Sequence, residues 1–229
     1  MSGGATAARE LSAGLDAASV EQMSAEQLLA FVIEQFHPRL YVACSFQKEA
    51  SVIMDIALRI SPEVRFFTLD TGLLFPETYD TWRRLEQRYG IAIDVYQGPS
   101  LARQAVLHGD KLWERDPDAC CGLRKVAPLK QALARVDCWV TGIRRDQSPT
   151  RANTPKLHWD ERYGLWKANP LADWSDKDVW RYIAAHEVPY NPLHDRGYES
   201  IGCTHCTRPG SGREGRWYGH AKTECGLHG

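Results

Sequence analysis

The sequence has almost no net charge and contains no long apolar run. Its 28 Lys and Arg residues nearly balance its 29 Asp and Glu residues, giving a formal net charge of −1. This balance excludes a nucleic-acid-binding surface spread over the whole molecule, so any anionic partner must be recognised locally. No apolar run reaches the about 18 residues of a transmembrane helix, and no apolar core follows a basic start as in a signal peptide. We therefore expect a soluble, cytoplasmic protein that binds neither nucleic acid nor membrane.

Internal repeats and low-complexity linkers are also absent from the central part of the chain. With 229 residues, of which 43% are hydrophobic, the chain can bury one sizeable core. The segment 1–20 is rich in Ala, Ser and Gly and is expected to be disordered. Residues 21–207 are expected to form a single α/β domain. The segment 208–216 contains three glycines and three arginines, so 208–229 is expected to be a mobile C-terminal segment.

Apolar periodicity predicts strands that alternate with helices. Ser24 begins a capping box, and the spacing that follows it predicts an amphipathic helix to Phe36. Further helices are expected through Met54 and Leu58, over Glu77–Tyr89 and from Ser175, and strands over Leu40–Cys44, Val64–Leu69, Ile91–Val95 and Cys138–Thr141. This alternation predicts an α/β fold with a mostly parallel sheet flanked by helices. The Pro-, Trp- and Gly-rich segment after Trp159 is expected to form an appended layer.

In a parallel sheet, the ligand site lies beyond the carboxyl ends of the strands. The loops that begin at Ser45, Asp70 and Gly142 follow three of the predicted strands. Each contains groups that can serve a nucleotide: a hydroxyl, a carboxylate, a glycine, or the basic run that starts at Arg144. We therefore expect a nucleotide site at these loops.

The seven cysteines fall into two classes. Without an export signal they should be mostly reduced, which favours metal binding or catalysis over a disulfide framework. Cys44 and Cys138 lie in apolar runs and are expected to be core residues. The others are the adjacent pair Cys120 and Cys121, the Cys203 and Cys206 pair, and the isolated Cys225.

Two thiolate pairs can hold either zinc or an iron–sulfur cluster, and the spacing of Cys203 and Cys206 is common to both. The adjacent pair fits a larger cluster better, because neighbouring side chains diverge and would crowd a single ion. Two unrelated core cysteines are the remaining alternative for Cys120 and Cys121. Cys225 lies in a short polar terminus that favours an accessible, reactive thiol, although a spare surface cysteine has the same appearance.

Three ordered motifs contain these five cysteines. They are Cys120-Cys121-Gly122-Leu123-Arg124-Lys125 with Pro128-Leu129, Gly202-Cys203-Thr204-His205-Cys206-Thr207-Arg208-Pro209, and Lys222-Thr223-Glu224-Cys225-Gly226-Leu227-His228. Together with the segments 68–72 and 141–148, they resemble the assimilatory adenylyl-sulfate reductases, the iron–sulfur type of the PAPS/APS reductase family. The resemblance extends from about Leu28 to the end of the chain.

The resemblance implies an oxidoreductase that acts on a sulfur group with a disulfide as acceptor. It implies one [4Fe-4S] cluster on Cys120, Cys121, Cys203 and Cys206, adenylyl sulfate as substrate, and an adenine-nucleotide alpha hydrolase-like fold related to the ATP pyrophosphatases. Two departures stand out. Ala50 replaces the second acid of many relatives, and the Ser-Gly-Gly start of the pyrophosphatases is missing. Since a pyrophosphate cradle favours glycine, ATP cleavage is disfavoured.

The implied mechanism starts with attack of the Cys225 thiolate on the sulfate sulfur. AMP leaves, S-sulfocysteine remains, and thioredoxin or a glutaredoxin-like reductant releases sulfite. Fixed positive charge is needed for such an anionic reaction, and residues 120–156 contain eight Lys and Arg against two acids. Matching to the family's pattern places four residues at the phosphosulfate, namely Lys125, Arg213, Arg216 and His228. The same matching places Ser45, Asp70, Gly142 and Arg144 nearer the nucleotide.

Two other functions remain compatible with the sequence. One is reduction of the 3′-phosphorylated nucleotide, and the other is a metal-stabilised nucleotide-binding or RNA-modifying module in which Cys225 is incidental. Lys125 is also expected to link cluster and substrate, since it follows Cys120 by five positions. Oligomers are possible, and the sequence does not decide between oligomeric states.

Overall fold

The computed structural model describes residues 16–228. Most of the segment 1–20, expected to be disordered, lies outside this range, but its last residues are helical. Helix α1 spans Ala17–Gln22, and the carboxylate of Asp16 caps it by accepting from the amides of Ala18 and Ser19. No helix within the described range is long and apolar enough to cross a membrane.

The remaining helices and the strands alternate through most of the chain. The helices are α2 (Ala25–Phe36), α3 (Lys48–Ile60), α4 (Pro76–Tyr89), α5 (Leu101–His108), α6 (Leu112–Arg115), α7 (Pro117–Cys121), α8 (Ala127–Leu133) and α9 (Asp176–His186). A π-helix, Gly122–Val126, joins α7 to α8. The strands are β1 (Leu40–Ala43), β2 (Arg65–Asp70), β3 (Asp94–Gln97), β4 (Cys138–Val140), β5 (Leu157–Asp160) and β6 (Leu165–Ala168).

The strands form a six-stranded sheet in the order β3-β2-β1-β4-β6-β5. The pairs β2–β3, β1–β4 and β4–β6 are parallel, and β5 pairs antiparallel with β6. The predicted mostly parallel α/β sheet is thereby confirmed. The register aligns Val42 with Val140 and Val140 with Ala168, and all three side chains are buried, as expected for a parallel sheet covered on both faces.

The chain divides into two compact units. Within the described range, the first comprises residues 16–44, 48–66 and 133–188, and the second comprises 45–47, 67–132 and 189–228. In the first unit, the predicted capping box at Ser24 is present and α2 buries the predicted face, including Leu28 and Val32. In the second unit, α4 begins with Pro76 and ends at Gly90, whose φ of 65° suits a glycine at a helix C-cap.

Two expectations about the strands were wrong. The third strand begins at Asp94, three residues later than predicted. The segment after Trp159, expected to form an appended layer, contributes β6 to the sheet. Lys167 interrupts the apolar run of β6 and hides its strand character, yet it is buried, with its ammonium 5.0 Å from the ring centre of Trp139 in a cation–π contact.

Candidate functional site

The second unit contains all five cysteines that the sequence singles out. Cys120 and Cys121 end α7, whose first turn is capped by Asp116. Cys203 precedes a 3₁₀ turn that ends at Cys206, and the Cys206 amide donates to the Cys203 carbonyl over 3.0 Å. The π-helix after Cys121 is fixed by Arg124, whose Nη1 donates to the Thr71 carbonyl over 2.6 Å. Such π-turns often occur at functional sites.

The four paired cysteines lie close enough to perturb one another. Burial, and then the charges of Cys121, Cys203 and Cys206, raise the pKa of Cys120 to about 11. Burial and the charge of Cys203 likewise raise the pKa of Cys206 to about 11. All four are free cysteines, and the Cys203 Sγ lies 3.3 Å from the hydroxyl of Thr71.

The donor chemistry of this group fits an iron–sulfur cluster. Four soft thiols gather within one unit, and thiolates are the ligands that such clusters prefer. Within residues 16–228, no group of three or more His, Cys, Asp or Glu is arranged to hold a metal ion, so the case for a cluster rests on the chemistry of the four thiols. Burial first, and then the mutual repulsion of the thiolates, raises these pKa values, and a bound cationic metal centre would offset that repulsion.

Cys225 is buried, in contrast to the accessible thiol that its polar terminus predicts. Its exposed fraction is 8%, and it packs with Cys121 and Trp217, against which Cys206 and Leu227 also lie. The sequence could not reveal this burial, because the covering residues come from distant positions. The contact brings the proposed nucleophile beside the cysteine group.

Positive charges surround this buried thiol. Burial raises the pKa of Cys225, but the charges of Lys125 and Arg216, the hydrogen bond from the Leu227 amide and the charge of Arg213 lower it, so that the net shift is downward. The thiolate is the nucleophilic form of cysteine. The surroundings of Cys225 therefore favour a nucleophile.

Lys125 and Arg216 lack acidic partners. Across the described part of the chain, no carboxylate lies within ion-pair distance of either side chain. Arg216 is 7% exposed, and its Nε has no hydrogen-bond acceptor. A buried cation without a counter-charge is costly unless an anion joins it. The buried Arg216 therefore favours an anion next to Cys225, and the half-buried Lys125 adds to the positive charge there.

Arg213 makes contacts within the C-terminal segment, and Lys222 joins the segment to α7. The Arg213 Nη2 donates to the Thr223 carbonyl over 3.1 Å and to the Glu224 carboxylate over 2.8 Å. Lys222 forms an ion pair with Asp118 in the first turn of α7. The segment 208–216, predicted to be a basic loop, is itself hydrogen-bonded, since the Arg208 amide donates to the Gly215 carbonyl over 3.0 Å. His228 is half-buried.

Trp217 is a site residue that the sequence did not indicate. Its ring centre lies 4.5 Å from the Arg216 guanidinium, 5.6 Å from that of Arg213 and 5.6 Å from the Lys222 ammonium. Aromatic faces attract cations at such distances. Three of the basic residues thus contact one tryptophan ring. The position of Trp217 directly after Arg216 was the only sequence feature that could have indicated its place in the site.

Two of the predicted nucleotide residues also belong to the second unit. Ser45 is exposed. The Asp70 carboxylate accepts from the Gly72 amide over 2.8 Å, from the Tyr79 hydroxyl over 2.7 Å and from the Gln97 amide over 2.8 Å. Burial and this bond to Asp70 raise the pKa of Tyr79 to about 12, so Tyr79 remains a neutral donor that fixes Asp70.

The other two, Gly142 and Arg144, lie in the first unit. A Cβ at Gly142 would stand 3.0 Å from the Cβ of Glu49, so the glycine permits a close approach to the start of α3. Arg144 is buried and donates to Glu49 over 3.0 Å, to Asp176 over 3.0 Å, and also to Asp146. Its guanidinium therefore already binds three carboxylates.

The fold is one that nucleotide-handling proteins use. The crystal structure of Candida glabrata FMN adenylyltransferase in complex with FAD and inorganic pyrophosphate covers 90% of this chain, and 73% of that protein, with a TM-score of 0.58 at 15% identity. More specifically, residues 39–209 match the model of the phosphoadenosine phosphosulfate reductase domain. The chain belongs to this family.

Closer relatives agree with this membership. Adenosine 5'-phosphosulfate reductase 1 of Bacillus subtilis is 47% identical over 207 residues, which cover 88% of this chain and 89% of the relative. The structure of a phosphoadenylyl-sulfate reductase from Candida auris, solved as a phosphate complex, aligns with a TM-score of 0.75 at 33% identity, covering 84% of this chain and 94% of that one.

Proposed function

We propose that this protein is an assimilatory reductase that converts adenylyl sulfate to sulfite and AMP in the cytoplasm. The observation that supports it most strongly is the placement of Cys225, buried next to Cys121 and within the field of Lys125 and Arg216. The Bacillus subtilis relative, which is 47% identical, is named adenosine 5'-phosphosulfate reductase 1, and this name indicates the same substrate.

The reaction consists of a sulfo transfer followed by a thiol exchange. The Cys225 thiolate attacks the sulfate sulfur, the bond from that sulfur to the bridging oxygen breaks, and AMP leaves with the electron pair. One thiol of a dithiol reductant, thioredoxin or a glutaredoxin-like protein, then attacks Sγ of the S-sulfocysteine and sulfite departs. The second thiol resolves the mixed disulfide, so that the reductant supplies both electrons.

The basic residues are proposed to bind the phosphosulfate. Two anions approach each other in the first step, so fixed positive charge lowers their repulsion and stabilises the departing AMP. Lys125 and Arg216, which have no acidic partner, are assigned to the sulfate end, together with Arg213 and His228. Ser45, Asp70, Gly142 and Arg144 are assigned to the nucleotide. For Arg144, the bonds to three carboxylates support a role in holding its own loop.

One [4Fe-4S] cluster is proposed on Cys120, Cys121, Cys203 and Cys206. When bound, it would supply fixed charge and shape beside the sulfate rather than electrons. Lys125 follows the first pair of these cysteines by a single helical turn, and the charges of Cys203 and Cys225 raise its pKa although burial lowers it. These interactions support a role for Lys125 between the cysteine group and the substrate.

The C-terminal segment is proposed to move during the cycle. Cys225 must meet the nucleotide and then a protein reductant, and in its buried position it is closed to a bulky partner. The segment should open by releasing Lys222 from Asp118. Limited proteolysis between Arg213 and Lys222, with and without AMP, tests this movement. Equal cleavage under the two conditions would contradict it.

The decisive experiment is anaerobic incubation of iron-loaded protein with adenylyl sulfate, without reductant, followed by peptide mass spectrometry. We expect a sulfo adduct on the Cys225 peptide and AMP in equal amount. Cys225→Ser should give neither, while Cys44→Ala, which changes a core cysteine, should behave as wild type. Sulfite formation by Cys225→Ser would rule out the mechanism and favour a module in which this cysteine is incidental.

The 3′-phosphorylated nucleotide is the second candidate substrate. The 33% identity to the phosphoadenylyl-sulfate reductase from Candida auris favours this substrate. Side-by-side measurement of kcat/KM for the two nucleotides decides between them. We expect adenylyl sulfate to be preferred, and a higher value for the 3′-phosphorylated form would reverse the assignment.

A further inference from the structure

The guanidinium of Arg216 lies directly against a glycine of the second unit. A Cβ built on Gly202 would stand 2.4 Å from Nη2, 2.6 Å from Cζ and 2.9 Å from Nε of Arg216. Carbon and nitrogen atoms that are not bonded do not approach this closely, since van der Waals contact is near 3.5 Å. If residue 202 had a side chain, the Arg216 guanidinium could therefore not occupy its present position.

The backbone at Gly202 does not itself demand glycine. Its φ lies outside the left-handed region that L side chains avoid. The atoms that clash are at the end of a long side chain, so alanine at this position could be accommodated if the guanidinium moved. We therefore expect the cost of a side chain at position 202 to fall on Arg216 rather than on folding.

The remainder of Arg216 is held firmly. Its amide donates to the Arg213 carbonyl, and the next amide, that of Trp217, donates to the Cys206 carbonyl over 2.8 Å. Its Nη1 donates to the Ser200 hydroxyl over 3.0 Å and lies 3.4 Å from the Ile201 carbonyl oxygen. One end of the guanidinium is thus fixed, whereas the buried Nε has no acceptor among residues 16–228.

We infer that Gly202 is a positioning residue for substrate binding, and that its missing side chain keeps the Arg216 guanidinium beside Cys225. Ser200 fixes one nitrogen, Trp217 supports the guanidinium plane, and Gly202 leaves the space in which the other nitrogens lie. A sulfo or phosphate oxygen is the acceptor that the unpaired Nε requires. The identity of this anion rests on the proposed function, but the position of the guanidinium does not.

Gly202→Ala tests the inference, with Gly122→Ala as the matched control. Each glycine adjoins a cysteine of the proposed cluster, Gly202 before Cys203 and Gly122 after Cys121. Gly122 begins the π-helix with right-handed helical φ and ψ, and a Cβ built on it would stand in open space among the described residues. We expect Gly202→Ala to lower kcat/KM for adenylyl sulfate roughly 10- to 100-fold, while iron content and the urea midpoint match those of Gly122→Ala.

A double-mutant cycle separates positioning from a general structural effect. In the Arg216→Ala background the guanidinium is already gone, so adding Gly202→Ala should change kcat/KM by less than about twofold. A full additional loss in that background would overturn the inference, because the glycine would then act through something other than Arg216.

Arginine-specific labelling gives a readout that does not depend on turnover. Phenylglyoxal should modify Arg216 slowly in wild type, where it is 7% exposed, and at least severalfold faster in Gly202→Ala. Equal labelling of Gly202→Ala and Gly122→Ala would overturn the inference even if wild type forms sulfite. Conversely, faster labelling in a protein that forms no sulfo adduct would sustain the positioning role and reject the proposed reaction.

Discussion

Lys125 is the residue whose charge most directly affects both the proposed nucleophile, Cys225, and two of the paired cysteines, Cys121 and Cys206. It lies in the π-helix after Cys121, and its charge acts on Cys225 and Cys206. Lys125→Gln removes the charge and nearly keeps the length of the side chain. We expect kcat/KM to fall roughly 100-fold, as when one fixed donor to a developing charge is removed. Steady-state kinetics with adenylyl sulfate provide the measurement.

Lys130→Gln, at an exposed position of α8, serves as the control for this change. It removes a charge of the same sign from the next helix and should leave turnover within about twofold of wild type, as is usual for exposed charges. Iron content should be measured for both variants. Full turnover of Lys125→Gln with normal iron would mean that Lys125 has no part in the reaction.

At the scale of single elements, the ion pair between Lys222 and Asp118 joins the C-terminal segment to α7. Asp118→Asn removes the negative charge while the Asp116 cap of the helix remains. The segment should then open more often, and we expect iodoacetamide to alkylate Cys225 severalfold faster. Peptide mass spectrometry over a time course measures this rate, and an unchanged rate would show that the pair does not hold the segment.

Glu114→Gln is a suitable control for the ion pair, because Glu114 is exposed in the neighbouring helix α6 and pairs only within its own turn, with Lys111. Alkylation of Cys225 should be unaffected by this change. Saturating AMP should slow alkylation in both variants if nucleotide binding favours the closed segment.

Helix α9 depends on a capping box at Ser175. The Ser175 hydroxyl accepts from the Asp178 amide over 3.2 Å, and the Ser175 amide donates to the Asp178 carboxylate over 2.9 Å. We expect Ser175→Ala to lower the free energy of unfolding by about 1 kcal/mol, measured by urea denaturation at pH 7. Ser61→Ala, which follows the last residue of α3 and so lies at a helix C-terminus rather than at an N-cap, should cost less.

The effect of this cap should depend on pH. The hydrogen bonds from Ser175, and then the ion pair with Arg181, lower the pKa of Asp178 to about 2. Because the folded pKa lies below the ordinary value near 3.8, the carboxylate stabilises the fold above about pH 4, and this contribution is lost as the pH falls through 2. The difference between wild type and Ser175→Ala should therefore shrink in strong acid.

For the whole molecule, the proposed cluster predicts about four iron atoms per chain. Cys206→Ala removes one of the four thiols and should lose most of the iron and lower the thermal midpoint. Cys44→Ala changes a buried cysteine of β1's carboxyl end and should keep the iron. Metal analysis of anaerobically purified proteins distinguishes a cluster from a zinc site. A single zinc ion in wild type would contradict the cluster and indicate the zinc site that the cysteine spacing also allows.

Much of the fold follows from the sequence, since buried strands are short apolar runs between turn residues. The sequence pattern did not predict strand β6, because its buried Lys167 interrupts the apolar run. Lys167 is stabilised by Trp139, a contact that the local sequence does not reveal. The spacing of the cysteines and their family motifs singled out the residues that the second unit gathers. The burial of Cys225 and the contact between Gly202 and Arg216 could not be predicted, because they depend on packing between separate segments.

In its buried position, Cys225 is shielded from oxidants as well as from water. Thiolates that solvent reaches are converted by peroxide to sulfenic and then irreversibly to sulfinic acids, and the surroundings of this thiol favour the thiolate. With an exposed fraction of only 8%, the sulfur is sheltered whenever the C-terminal segment is closed. On the proposed mechanism, we expect the resting protein to resist oxidation of this thiol, and damage to accumulate mainly during turnover, when the segment opens.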